Sequence, residues 1–213
     1  MTNLSMPILP GKLIIARHHE SEWNKLGLWT GMSDVCLTPL GRDQAKKMGE
    51  GIRDLPVDRV VTSELRRAIK TAEIMLSAMG REDLTVEQIP ALNERDYGDY
   101  TGKNKWQMKE ILGDEKFHNI RRGWDCPVPN GETLKMVYER VIPFYINQIV
   151  PDLVAERHVM LVGHTNTLRA LIKYLEKISD DGIKEVEIAF GLIIIYQVDD
   201  VGQMVDKEIR ELE

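Results

Sequence analysis

The sequence of 213 residues lacks the features that mark disulfide-rich, membrane-spanning or nucleic-acid-binding proteins. It contains two cysteines, Cys36 and Cys126, and neither forms part of a CxxC motif or a Cys/His ligand spacing. This excludes a disulfide-rich scaffold and favours two free thiols in a reducing compartment. No apolar run approaches the roughly 20 residues that span a bilayer. The longest such run, Leu192 to Tyr196, has the length of a strand.

The sequence also has no excess of basic over acidic residues. The chain has 28 Lys and Arg against 34 Asp and Glu, a formal net charge of −6. Nucleic-acid binding usually needs a strongly basic face, so we expect no nucleic-acid partner. The segment from Met1 to Lys12 lacks a basic region followed by an apolar one, so we expect no secretory signal, no membrane partner and a cytoplasmic location. A small anionic substrate stays possible, because the local potential of a cleft, not the net charge, holds a phosphate.

Motifs for metal binding are also missing. The sequence shows no HExxH, no run of clustered carboxylates and no Cys/His ligand set, so we expect no metal. It has no internal repeat and no low-complexity linker, and its length suits one globular unit with a sizeable core. We therefore expect a single domain over residues 1–213, with 43% hydrophobic and 29% charged residues as in ordinary globular proteins.

The chain contains an alternation of strand-like and helix-like segments, which is typical of a parallel sheet. Three short apolar runs predict strands: Leu13 to Ala16, Arg59 to Thr62 and Val159 to Gly163. Near the end, Glu187 to Ala189 and Leu192 to Val198 read as a closing hairpin or a pair of edge strands. The pattern predicts an α/β fold of three layers, in which helices flank a mostly parallel central sheet.

Helix signals follow the first, second and third strands. Thr38 and Pro39 offer a hydroxyl cap and a proline at the first helical position, and predict a helix to about Arg53. Ser63 is expected to cap a helix that extends to about Met79, and another helix is expected near residues 166–175. Between about residues 92 and 133 the pattern is irregular, which indicates a lid-like insertion over the C-terminal edge of the sheet.

Chemically reactive side chains follow the ends of the three predicted strands. Arg17 and His18 follow the first, Arg67 lies just beyond the second, and His164 follows the third. In open α/β sheets the ligand crevice lies outside the carboxyl ends of the strands. If these strands are neighbours, two histidines and two arginines meet at one crevice, where helix N-termini also favour an anion.

Several stretches resemble the histidine phosphatase superfamily, and specifically its phosphoglycerate mutase branch. The first is ARHHESEWNKLGLWTGMSDVCLTPLGRDQA, which begins at Ala16. The similarity continues through TSELRRAIKTA, LNERDYGDYTGKNKW, the pair Arg121 and Arg122, GETL and GHTNTLRALIKYLEKISDDGI. It covers about residues 12–198. An Arg-His pair after the first strand indicates only the superfamily, whereas the segment from Glu94 to Lys105 and the arginine pair narrow it to the mutases.

The resemblance implies a catalytic role for five residues. His18 would be the nucleophile, taking a phosphoryl group on one ring nitrogen while a backbone carbonyl holds the other. Arg17, Arg67 and His164 would surround the transferring phosphoryl group and spread its charge. Glu94 would be the general acid and base for the substrate hydroxyl.

The resemblance also implies substrate-binding residues and a reaction cycle. Phosphate or carboxylate oxygens would be bound by Asn24, Thr30, Gly31, the Thr165 backbone and Asn166. The far carboxylate and second phosphate would be gripped by Arg95, Tyr97, Lys105, Arg121 and Arg122. The enzyme would convert 3-phosphoglycerate to 2-phosphoglycerate, with 2,3-bisphosphoglycerate as both primer and intermediate and with no metal. A monomer or homodimer is expected.

The chain departs from the family pattern at several positions. Asp96 stands where many mutases have histidine, and we expect it to weaken the affinity for an anionic substrate unless it points away. His19 and Thr165 stand where the family usually has glycine, and we expect their side chains to narrow the phosphate pocket or to demand unusual backbone angles. Two other functions are compatible with parts of the pattern. One is a broad phosphatase, which would not need Lys105 or the arginine pair, and the other is a phosphate-binding module, which would not need a nucleophile.

Overall fold

The computed structural model describes residues 10–211. The expectation about a signal segment depends mainly on residues 1–9, which lie outside this range. Within it, the strands are β1 (Lys12–Arg17), β2 (Arg59–Thr62), β3 (Val86–Gln88), β4 (Val159–Gly163), β5 (Leu192–Val198) and β6 (Met204–Glu211). The α-helices are α1 (Glu22–Lys25), α2 (Pro39–Glu50), α3 (Arg66–Met79), α4 (Lys105–Leu112), α5 (Asp114–Arg122), α6 (Leu134–Phe144), α7 (Val150–Val154) and α8 (Thr165–Leu175).

The six strands form one sheet in the order β3-β2-β4-β1-β5-β6. The first four run parallel, whereas β5 and β6 are antiparallel to their neighbours. The central strands β1 and β4 are buried on both faces, whereas the edge strands β3 and β6 are largely exposed. Alternate residues of β1 enter different cores: Leu13 and Ile15 pack with α6 and α8, while Ile14 and Ala16 pack with α2 and α3. The predicted three-layer α/β fold is confirmed.

The end of the sheet differs from the prediction. Leu192–Val198 is a strand, but it lies between β1 and β6, so it is not at an edge. Its hairpin partner is Met204–Glu211, not Glu187 to Ala189, which form no strand. The reason is that this segment runs along the Arg17 side chain, which donates a hydrogen bond to the Ile188 carbonyl at 2.7 Å.

The helix starts are partly as predicted. Thr38 caps α2 by accepting a hydrogen bond from the Gly41 amide at 3.0 Å, although the helix ends at Glu50 and not at Arg53. The cap predicted at Ser63 is wrong. Helix α3 begins at Arg66, after Leu65, which has no capping side chain. The Ser63 hydroxyl accepts from the Leu65 amide at 3.2 Å, before the helix begins, and is hydrogen-bonded to His164 Nε2 at 2.7 Å.

The segment of residues 92–133, here called the lid, contains more regular structure than its sequence indicated. It includes α4 and α5, and Arg121 and Arg122 lie in the last turn of α5. The lid has its own small core, which also includes Trp29 from outside it. That core consists of Trp29, Tyr100, Met108, Phe117, Ile120 and Val128. In the range 10–211, no helix has the length and apolar character needed to cross a membrane.

Gly98 fixes the path of the lid. Its φ is +46°, and a Cβ built there would lie 2.1 Å from the Pro129 carbonyl oxygen and 2.5 Å from the Asn130 carbonyl carbon. Both atoms are backbone and cannot turn aside. We predict that Gly98→Ala lowers the free energy of unfolding by more than about 2 kcal/mol, because it adds a steric clash to an unfavourable φ. Chemical denaturation monitored by tryptophan fluorescence measures this.

Gly80→Ala is the control, since Gly80 also has a positive φ of +73° but has nothing within 4 Å of the added Cβ. Gly80→Ala should lower the free energy of unfolding by about 1 kcal/mol, because only the backbone conformation is unfavourable. Equal costs for the two variants would contradict the steric account of Gly98.

Candidate active site

A cavity of about 390 Å³ lies at the carboxyl ends of β1, β2 and β4, beneath the lid. This is the position predicted for the ligand crevice, because the three strands are neighbours in the sheet. The predicted residues that line it are Arg17, His18, Asn24, Thr30, Gly31, Arg67, Glu94, Tyr97, Lys105, Arg121, Arg122, Thr165 and Asn166. The other two predicted residues, Arg95 and His164, do not form its wall.

His18 is held as a neutral imidazole. Its side chain directly follows β1 and is 4% exposed. Since the His19 carbonyl can only accept, the 2.7 Å contact fixes the proton on Nδ1 of His18 and leaves the lone pair on Nε2. Burial lowers the pKa of His18 well below its usual value, and the nearby Arg67 and Arg17 lower it further. A neutral imidazole whose Nε2 carries no proton is the nucleophilic form.

Arg67 contacts this nitrogen, and Arg17 lies in the wall of the same cavity. The Arg67 guanidinium donates from Nε to His18 Nε2 at 3.3 Å, and to the carbonyls of Ser33 and Gly31 at 2.8 Å. The Arg17 guanidinium lies 4.0 Å from the centre of the Phe190 ring. Burial lowers the pKa of each arginine to about 10, so both remain cations at neutral pH. They can receive phosphate oxygens in a planar, bidentate manner.

His164 lies behind the nucleophile. The ring centres of His164 and His18 are 5.0 Å apart, and the rings meet edge to face. Its Nε2 is engaged by Ser63, whereas its buried Nδ1 has no partner in the described part of the chain. Burial and the neighbouring Arg67 lower the pKa of His164 well below its usual value. The ring is thus neutral and keeps one nitrogen without a partner beside His18.

Glu94 is the one predicted carboxylate in the cavity. Its carboxylate accepts hydrogen bonds from the backbone amides of Arg95 at 2.7 Å and Asn166 at 3.2 Å. The Glu94 backbone is itself tied to α6, since Arg140 donates to the Glu94 carbonyl at 3.2 Å. Sequence reasoning missed Arg140, because nothing in a helical Glu-Arg-Val run indicates a contact 46 residues away. The carboxylate is thus held in a fixed orientation.

The lid supplies the other cationic end of the cavity. The Tyr97 hydroxyl accepts a hydrogen bond from Asn166 at 3.0 Å. Burial, with Arg121 and Arg17 nearby, lowers the pKa of Lys105 to about 8. Burial and the adjacent Arg122 lower the pKa of Arg121. Arg122 forms an ion pair with Glu187.

The placement of Arg95 corrects the expectation that it contacts the ligand. The side chain is fully buried. Its guanidinium donates to the carbonyls of Glu132, Ile120 at 2.7 Å and Cys126 at 3.3 Å, all within the lid. These bonds direct the side chain into the lid, so it supports the lid instead of lining the cavity.

Five wall residues were not among the predicted site residues: Trp29, Glu187, Ile188, Ala189 and Phe190. Of the last four, Glu187 to Ala189 were predicted to form a strand, and Phe190 was predicted to join it to the next one. Phe190 covers Arg17 and also stacks on His19, with ring centres 4.7 Å apart. Neither His19 nor Thr165 has a positive φ, so the expectation of unusual backbone angles is wrong. Thr165 is the first residue of α8, where ordinary helical angles suffice.

Possible metal ligands are not grouped here. In residues 10–211, no three His, Cys, Asp or Glu side chains are arranged to hold a metal ion. The polar groups of the cavity are cations, amides and hydroxyls, with Glu94 and Glu187 as its carboxylates. Such a lining suits an anionic organic ligand.

Comparison with known proteins assigns the class. A family model described as the histidine phosphatase superfamily (branch 1) matches residues 13–208, and the chain belongs to this superfamily. It is 41% identical over 203 residues to a 2,3-bisphosphoglycerate-dependent phosphoglycerate mutase from Parvibaculum lavamentivorans, which covers 94% of this chain and 97% of that protein. It is 42% identical over 202 residues to a phosphoglycerate mutase from Schizosaccharomyces pombe, covering 94% and 96%.

Solved structures share the fold at lower identity. The alpha-ribazole phosphatase from Shigella flexneri superposes with a TM-score of 0.77 at 24% identity, covering 94% of this chain and 95% of that one. A mycobacterial glucosyl-3-phosphoglycerate phosphatase gives a TM-score of 0.78 at 22% identity, covering 95% and 98%. At such identity the likeness concerns the fold alone.

The lowered pKa of Lys105 predicts a pH dependence of anion binding. Below about pH 8 its ammonium is charged and attracts an anion, and above that pH it becomes neutral. Sulfate, which keeps its charge across this range, should therefore bind more weakly as pH rises through about 8, by about fivefold. Isothermal titration calorimetry between pH 6.5 and 9.5 measures this.

In Lys105→Arg the cation persists and the decline should disappear. Lys109→Arg is the control, because Lys109 lies on the same helix but pairs with Asp114 and does not line the cavity. It should leave the decline unchanged. A decline of the same size in Lys105→Arg would contradict the assignment.

Proposed function

We propose that the protein interconverts 3-phosphoglycerate and 2-phosphoglycerate through a phosphohistidine at His18, with 2,3-bisphosphoglycerate as primer and intermediate. This reaction belongs to glycolysis and gluconeogenesis, and the cytoplasm is the compartment we propose for it. The observation that carries the proposal is a cavity with two cationic ends. One surrounds the unprotonated Nε2 of His18, and the other is formed by Lys105 and Arg121 in the lid.

The first half of the cycle is phosphoryl transfer away from His18. The bond between Nε2 and phosphorus breaks as a bond forms to the 2-hydroxyl oxygen of 3-phosphoglycerate, and Glu94 takes the hydroxyl proton. Arg17 and Arg67 stabilise the negative charge on the phosphoryl oxygens, and the unpartnered nitrogen of His164 donates a hydrogen bond to one of them. The first amides of α8, at Thr165 and Asn166, add donors at a helix N-terminus.

The second half returns a phosphoryl group to the same nitrogen. After the bound bisphosphate has turned, His18 Nε2 attacks the phosphorus of its 3-phosphate. Glu94 then gives its proton to the oxygen left on carbon 3, and 2-phosphoglycerate leaves. Throughout this exchange the lid cations must hold the carboxylate and the phosphate that is not reacting. The residues needed come from one chain, which is compatible with the monomer or homodimer that we propose.

A coupled assay tests the proposal directly. The protein is incubated with 3-phosphoglycerate, and 2-phosphoglycerate is followed through enolase, whose own magnesium is supplied only after the first reaction is quenched. We expect product formation that rises on adding 2,3-bisphosphoglycerate and persists in excess EDTA, since arginines and His164 supply the charge. Absence of product with primer present would reject the proposal. Loss in EDTA that manganese restores would reject its metal-free chemistry.

The arginine pair of the lid should separate mutase from phosphatase activity. In Arg121→Ala/Arg122→Ala we expect mutase activity to fall and the need for added bisphosphate to rise. Each charge-assisted hydrogen bond contributes about 1.5–3 kcal/mol, so losing one could speed escape of the intermediate by tenfold or more. Hydrolysis of para-nitrophenyl phosphate, which has no second anion, should change little. Steady-state kinetics with the two substrates measure this.

Arg42→Ala/Lys46→Ala is the matched control, because it removes two positive charges from exposed positions of α2. It should affect neither activity. An equal loss of both activities in the Arg121→Ala/Arg122→Ala variant would mean that the pair supports the nucleophile or the fold. No loss of either activity would favour a phosphatase.

A further inference from the structure

Arg169 is a buried arginine outside the cavity wall. It lies on α8, one turn after Asn166, and is fully buried. Its guanidinium donates to the carbonyls of Arg122 and Ile183 at 2.7 Å, Val186 at 3.1 Å and Arg121 at 3.3 Å, and to Asn166 Oδ1 at 3.2 Å. Neither the predicted site residues nor the proposed cycle includes it.

The acceptors belong to three parts of the cavity. Arg121 and Arg122, whose carbonyls accept from Arg169, are the last two residues of α5. Those of Ile183 and Val186 belong to the segment that leads into the wall at residues 187–190. Asn166 also donates to Tyr97, while its amide donates to Glu94. One side chain thus joins the lid helix, the wall segment and the helix that follows His164.

We propose that Arg169 is a positioning residue that fixes the arginine pair of the lid at the distance from His18 at which a ligand with two anionic groups is bound. The inference rests on the proposed function for its substrate. It does not require Arg169 to touch that substrate.

The chemistry of the side chain explains why an arginine is needed. A guanidinium offers five N–H donors in a rigid plane, and here its donors meet acceptors on several sides at once. A lysine has three donors on one atom and cannot reach such a spread of carbonyls. All five acceptors are neutral, so the positive charge of Arg169 is not cancelled by these partners and adds to the field of the cavity.

The test is a double-mutant cycle between Arg169→Met and Arg121→Ala/Arg122→Ala. If Arg169 acts through the arginine pair, Arg169→Met alone should raise KM for 3-phosphoglycerate about tenfold, with para-nitrophenyl phosphate hydrolysis changed by less than about twofold. In the variant that already lacks both arginines, the same change should have little further effect on KM, because coupled residues are not additive. Additive effects, or equal loss on both substrates, would overturn the proposal.

Two further variants separate positioning from general stability. Arg59→Met is the matched control, since Arg59 also ties segments together, through Glu87, Asp152 and the Gln148 carbonyl, but lies outside the cavity. It should lower the melting temperature without a selective change in KM. Arg169→Lys keeps the charge, and it replaces Arg169→Met in the test if that variant does not fold. We expect the KM of Arg169→Lys for 3-phosphoglycerate to lie between those of the wild type and the Arg121→Ala/Arg122→Ala variant. A wild-type KM in Arg169→Lys would overturn the proposal.

Calorimetry keeps this inference distinct from the proposed function. The Kd values of 2,3-bisphosphoglycerate and of inorganic phosphate are compared in the wild type and in the Arg169 variants, without turnover. Selective weakening of the bisphosphate supports the positioning role even if the wild type fails the mutase assay. Equal weakening of both ligands would overturn the positioning role even if the wild type passes it.

Discussion

The site depends on burying arginines whose hydrogen bonds go to neutral groups. Arg17, Arg67, Arg95 and Arg169 are largely buried, and the acceptors recorded for them are carbonyls, an amide oxygen and the His18 ring. Burying a charge is costly unless it is hydrogen-bonded, and these bonds lower that cost. They do not neutralise the charge as paired carboxylates would. A chain with a net charge of −6 thereby contains a strongly positive cavity.

The same charges prepare the nucleophile. Arg67 and Arg17, together with burial, disfavour protonation of His18, so the imidazole is neutral without needing a base beside it. The His19 carbonyl then selects Nδ1 for the proton and directs Nε2 to the cavity. Once phosphorylated, His18 would bring up to about two negative charges to arginines that have no carboxylate partner. The same positive charges that disfavour a protonated His18 therefore favour a phosphorylated one.

Much of this arrangement could be predicted from the sequence, because it follows from strand order and local pattern. Parallel strands place their carboxyl ends at one edge, so Arg17, His18 and His164 had to meet once the strands were neighbours. The family resemblance added Glu94 and the lid residues. The predictions that failed concern side chains whose hydrogen-bond partners are distant in the sequence. The Ser63 hydroxyl is hydrogen-bonded to His164 and not to its own helix, and Arg95 turns into the lid.

The wall segment and Arg169 illustrate the same limit. The apolar residues before Phe190 resemble a strand, but the Ile188 and Val186 carbonyls accept from Arg17 and Arg169. An arginine in a helical pattern is ordinarily taken as a solvated side chain, and no local signal identifies carbonyls 14 and 47 residues away as its partners. Such contacts depend on how the layers pack, which periodicity and spacing do not specify.

The most direct test of this account is the position of the phosphoryl group on the enzyme. The protein is incubated with 2,3-bisphosphoglycerate, the acid-labile phosphate is mapped by mass spectrometry, and the phosphorylated nitrogen is identified by ¹⁵N NMR of histidine-labelled protein. The account predicts phosphate on Nε2 of His18 and none in His18→Ala. Phosphate on His19, on Nδ1 of His18, or persisting in His18→Ala would contradict it.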